Sequence, residues 1–166
     1  MIRASSRHAV ARLRRRAGGA PVLLTALLLG AHPSVAQAAL GESRDAVERD
    51  YAALHGTSLR VSSTISYEVH QITTADAGTV RQYVDHGGTV FAVTWSGRVQ
   101  PDLRRVLAAH YAQYLAAARA PHQGHHLLSV STADLVLTVV KLPRGFAGHA
   151  HLPSLLPGGV KAEELR

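Results

Sequence analysis

Leu59-Arg60-Val61-Ser62-Ser63-Thr64-Ile65-Ser66-Tyr67-Glu68-Val69-His70 is the stretch whose reading decides the architecture. Leu59, Val61, Ser63, Ile65, Tyr67 and Val69 alternate with Arg60, Ser62, Thr64, Ser66, Glu68 and His70. A period of two, rich in β-branched residues, marks a strand with one face buried and one wet. Read this way, Leu59 to His70 is one strand, and Glu68 and His70 share its wet face. Ala75-Asp76-Ala77-Gly78 is a turn, Thr79 to Asp85 a second strand and Gly87-Gly88 a tight hairpin turn. Thr89 to Trp95 makes a third strand, with Phe91, Val93 and Trp95 on one face.

Helical signals flank this β-meander. From Glu42 to His55 the residues Val47, Tyr51 and Leu54 recur at helical spacing, with Ser43 as cap and Gly56 as stop. Pro101-Asp102 opens a longer helix to about Arg119, with Leu103, Val106, Leu107, Tyr111 and Tyr114 on one side. Its other side, with Ala108, Ala109, Ala112, Ala116 and Ala117, is a smooth surface on which a partner could dock. Pro121 and Gly124 end the pattern. Leu127 to Thr132 and Leu135 to Leu142 read as strands, the second apolar on both sides as a covered strand is. Phe146 to His151 is a last strand, followed by an irregular tail rich in Pro and Gly. The predicted class is therefore α+β: an antiparallel β-meander sheet of about six strands in the order α-βββ-α-βββ, with one long helix packed across a face.

The N-terminus carries the three parts of a cleavable secretory signal. Arg3, Arg7, Arg12, Arg14, Arg15 and Arg16 form a positive region without acids, and Val22 to Leu29 forms an apolar run. Ala36-Gln37-Ala38 supplies the small-x-small cleavage pattern. The expected division is a signal peptide over residues 1–38 and a single domain over 39–166, exported to the periplasm or beyond. The apolar run is about half the roughly 20 residues of a membrane-spanning helix, so no span is expected after cleavage. Arg14-Arg15 hints at the twin-arginine route, but the following residues favour Sec export.

Cleavage changes the electrostatic argument. The whole chain has 18 Lys and Arg against 11 Asp and Glu, but six of those arginines and none of the acids lie in the leader. The domain itself is nearly neutral and has no basic stripe with interleaved aromatics, which excludes nucleic acid as a partner. There is no Cys in the chain, and Met1 is its only Met. Thiol redox chemistry, a Cys nucleophile, iron–sulfur clusters and a lipoprotein anchor are thereby excluded.

Several motifs taken together carry a resemblance. They are Ala39-Leu40-Gly41, Tyr67-Glu68-Val69-His70-Gln71, Phe91-Ala92-Val93-Thr94-Trp95-Ser96-Gly97, Pro101-Asp102-Leu103, Asp134-Leu135-Val136 and the closing Leu152-Pro153-Ser154-Leu155-Leu156-Pro157-Gly158-Gly159-Val160. With these the chain resembles an exported family of Gram-negative bacteria known as domain of unknown function 2844. The resemblance covers residues 39–166 and implies no activity, cofactor or catalytic residue.

Histidine is the one residue in unusual supply. His122, His125 and His126 follow the long helix, while His149 and His151 stand two apart in a strand and so point to one face. Two imidazoles from the strand and one from the loop would make a candidate zinc site, and with it a metal-binding protein or metal-dependent hydrolase. No carboxylate adjoins either cluster. His110 falls on the apolar side of the long helix as a core histidine, and Glu68 with His70 reads as a polar pair or a base with its orienting partner. Asp134 reads as a turn residue. No nucleophile elbow, zincin motif, phosphate loop or dinucleotide fingerprint is present. The leading expectation is a non-enzymatic domain, without a cofactor, that binds an envelope protein or a small ligand. If the leader is cleaved as read, intact-mass measurement of the periplasmic protein should show a chain beginning at Ala39 or Leu40; a full-length, membrane-retained product would refute the division.

Overall fold

A computed structural model describes residues 40–120 and 126–165 of the chain. The leader, His122 and His125 lie outside the described residues. Helix α1 covers Ala46–Ala53, followed by strands β1 (Gly56–Ser63), β2 (Tyr67–Thr74), β3 (Thr79–Asp85) and β4 (Val90–Gly97). A helical crossover of α2 (Leu103–Leu107), a 3-10 turn (Ala108–His110) and α3 (Tyr111–Arg119) leads to β5 (Leu127–Ser131), β6 (Val136–Leu142) and β7 (Gly145–His151). All seven strands form one antiparallel sheet in the order β1-β2-β3-β4-β7-β6-β5. Two meanders are thus joined where β4 pairs with β7. Among the described residues no helix is long and apolar enough to cross a membrane.

The α+β class and the antiparallel meander match the expectation, but the strand count and the long helix do not. The predicted single strand from Leu59 to His70 is two strands joined by a hairpin, which raises the count from six to seven. No Gly or Pro marks this turn. The Thr64 hydroxyl holds it instead, accepting from the Tyr67 amide at 3.0 Å and donating to the Tyr67 carbonyl at 2.8 Å. Ile65 sits at the tip, almost wholly exposed. Across the hairpin, residues of opposite parity pair, Val61 with His70 and Arg60 with Gln71. The face carried by odd-numbered residues in β1 is therefore carried by even-numbered ones in β2, a reversal that moves every β2 side chain to the other side.

The predicted long helix is broken at Ala108, which takes a φ of +43°, rare for a residue with a β-carbon. The break separates two tasks. Leu103, Val106 and Leu107 of α2 are buried in the core beside Trp95, while α3 turns to pack over β5 at the sheet's edge. The alanine face is correspondingly split: Ala109, Ala112 and Ala116 are exposed, and Ala117 packs inward. The Asp102 carboxylate caps α2, accepting from the Arg104 amide at 3.0 Å. The expected Ser43 cap is not made. α1 begins later, after Asp45, and Ser43 bridges to Thr89 instead.

Helices cover one face of the sheet, here the helix face. Ile72, Val80, Val93, Trp95, Leu137, Val139 and Ala150 point to it and form the main core with α1 and α2. The opposite face is crossed by the C-terminal tail from Leu156 to Leu165 and is here the tail face. A bulge in β4, where Tyr83 faces Ala92 but Val84 faces Val90, leaves Phe91 as the extra residue. Phe91 therefore does not share a face with Val93 and Trp95 as expected. It packs edge-on against Tyr67 at 5.8 Å in a second cluster with Tyr83, Ala92 and Leu165.

Trp95 is opposite Gly148 across the β4–β7 seam. A β-carbon on Gly148 would lie 2.2 Å from the indole Cζ2 and 2.7 Å from the Thr138 carbonyl oxygen, so the ring occupies the space a side chain would need. Gly148→Ala should destabilise the domain by roughly 3 kcal/mol, the upper end of overpacking costs, measured by urea unfolding. An unchanged midpoint would show that the ring is not seated there.

Candidate functional site

Three places in the fold gather polar chemistry. The first lies under α1. Asp50 and Gln82 are each 1 % exposed, and the Gln82 side-chain amide donates to Asp50 Oδ2. Asp50 Oδ1 and Gln82 Oε1 have no partner among the described residues. Burial pushes the Asp50 carboxyl up to about 7, against the opposing pull of the Gln82 hydrogen bond and the Arg105 and Arg49 charges. A protonated Asp50 carboxyl suits a site in which two buried acceptors lack a donor. Beside Gln82 in the sheet is His70, whose Nε2 lies 3.2 Å from Glu68 Oε2, and Glu68 in turn pairs with Arg44 at 3.1 Å. Glu68 and His70 thus meet as expected, but on the covered helix face rather than the wet one, because of the parity reversal at the hairpin.

The second place is a cavity of about 500 Å³ at the end of the sheet, where α1 ends and α2 begins. Leu54, Val80, Val99 and Pro101 supply apolar wall; Thr74, Asp76 and Gln100 add polar groups. The Thr74 hydroxyl donates to Asp76 and holds its carboxyl below the ordinary carboxylate value. Three segments distant in sequence build this space, and no sequence pattern announced it.

The third place is the tail face. His149 and His151 project to it together, as their spacing predicted, with nearly parallel rings 6.5 Å apart. Burial pushes both imidazoles below their ordinary 6.5; for His151 the nearby His149 adds to the fall and Glu163 opposes it. His126 is not brought to them. Its carbonyl accepts from Lys141, whereas His149 pairs with Thr138, so His126 lies about 10 Å away along the strands and two strands across. Among the described residues no three His, Cys, Asp or Glu side chains are grouped to hold a metal, and a third imidazole from His122 or His125 would come from outside them. His110 is half-buried in the 3-10 turn, and Asp134 is exposed between β5 and β6.

Register also draws a line that no pattern in the sequence shows. Arg60, Gln71, Arg81, Thr94, His149, Thr138 and Ser129 are successive cross-strand partners through all seven strands. They form one polar row across the tail face. Arg81 Nε donates to Gln71 Oε1 at 2.9 Å within it.

The acid–amide pair has a definite pH signature. Asp50 keeps its proton to about 7 when folded but loses it near 3.8 when unfolded. The unfolded state therefore binds fewer protons between those values, and stability falls as pH rises through the interval, by about 4 kcal/mol in all. Asp50→Asn should remove this slope and stabilise the protein at pH 8, as read by denaturant midpoints across pH 4–8; a slope equal to that of the native chain would rule the assignment out.

A comparison with curated proteins finds no match, and one with solved structures finds none. The family model described as "Protein of unknown function (DUF2844)" matches residues 36–165, from just before the first described residue to the buried Leu165, and the chain belongs to that family.

Proposed function

We propose that this is an exported, non-enzymatic domain that binds a small, largely apolar ligand in the cavity between α1 and α2. The observation that carries the reading is the cavity itself: about 500 Å³, inside the range of small-molecule sites, with apolar walls and a few polar groups at one side. Its walls come from the ends of α1, β2, β3 and β4 and the turns that join them. Export is supported by the leader's tripartite pattern, with its small-x-small sequence Ala36-Gln37-Ala38. The alternative, a zinc-binding protein or zinc hydrolase, has His149 and His151 in its favour and requires His122 or His125 as a third ligand.

An uncharged apolar dye such as Nile red should bind one-to-one with saturable fluorescence enhancement. Val99→Trp, which enlarges an exposed residue at the cavity wall, should weaken that binding at least tenfold without lowering stability. No saturable binding, or binding indifferent to Val99→Trp, would overturn the proposal.

A further inference from the structure

The polar row on the tail face is a second and separate site. At about 4.8 Å per strand, Arg81 and His149 flank Thr94 with their backbones roughly 10 Å apart. A guanidinium and an imidazole on the two sides of one threonine are a pairing suited to a phosphate or carboxylate group. Thr94, buried at 7 % exposure, stands between them and brings a hydroxyl to the same stretch of the row. Arg81, Thr94 and His149 together line one cavity of about 240 Å³, with Leu165 at its rim. No carboxylate belongs to the row, and Gln71 occupies only Nε of Arg81, so the rest of the planar guanidinium fork is left to face an anion.

The tail supplies the second, independent observation. It lays the turn Ala162–Glu164 and then Leu165 across the row, dividing the groove. On one side Glu164 joins Arg60, Gln71 and Arg81 around a cavity of about 470 Å³; on the other, Glu163 joins His149 and His151 around one of about 320 Å³. Two adjacent carboxylates of a crossing segment thus line the cavities on the Arg81 and His149 sides of an otherwise acid-free row.

We propose that the tail face carries an oxyanion site between Arg81 and His149, and that Glu163 and Glu164 act as internal competitors that screen it in the free chain. The ligand class is a small molecule or group bearing a phosphate or carboxylate. Burial pushes the His149 imidazole below its ordinary value, which favours an uncharged ring that can still donate one N–H to an anion.

The test follows the imidazole resonances of His149 and His151 by NMR as inorganic phosphate, and separately succinate, is added to the full chain. Saturable shifts are expected with at least one of the two, and the one that binds identifies the anion class. Glu163→Gln with Glu164→Gln, which keeps Leu165 in place, should tighten binding at least threefold. Arg81→Gln should weaken it at least tenfold, and Thr94→Val, which conserves shape, at least threefold. Absence of saturable shifts in both the native chain and the double variant would overturn the site, as would full binding by folded Arg81→Gln or Thr94→Val. Equal affinity in the native chain and the double variant would overturn the competitor role of the tail. Nile red binding at the other cavity should be indifferent to all of these variants, so the two sites fail separately.

Discussion

The pairing of β4 with β7 is the contact on which the rest of the molecule depends. β1 to β4 form one meander and β5 to β7 another, and this seam alone makes them a single sheet. Its geometry is set by Trp95 lying on Gly148 on the helix face and by Thr94 meeting His149 on the tail face. Slip the seam by one residue and β7 would turn over relative to β4, bringing His149 and His151 to the same side as Trp95. The core under the helices and the polar row under the tail are therefore two products of one register.

Two local irregularities decide which side chains belong to which face. The hairpin at Thr64 reverses parity, so His70 faces the helices and Tyr67 faces the tail. The bulge at Phe91 sends that ring to join Tyr67 and Tyr83 beneath the tail, while Val90 stays in the main core. Without these two features the tail would cross a plain polar surface with little to hold it. With them, Leu165 finds an aromatic bed and the turn before it is held over the row.

Much of the fold is legible in the sequence because period-two alternation and Gly or Pro turns are local signals. Thr79 to Asp85, the Gly87-Gly88 turn and Phe146 to His151 are found where expected for that reason. The Thr64 hairpin was hidden because a threonine hydroxyl closes it and the alternation runs through it unbroken. The helix break was hidden because Ala108 is among the best helix formers, and its φ answers to tertiary packing rather than propensity. The pairing of His149 with His151 was visible from spacing alone. The row from Arg60 to Ser129 was not, since its members come one from each strand and register joins them only after the sheet closes.

The position of the seam also governs how the chain reaches this structure. Within each meander neighbouring strands are joined by short turns, contacts that form locally and early. β4 and β7 are separated by the helical crossover and two further strands, so their union requires the closure of a long loop before any of its contacts can form. Topologies of this kind refold on the order of milliseconds to seconds. Because the chain's one tryptophan sits on that seam, its emission reports the joining of the two halves rather than the appearance of secondary structure.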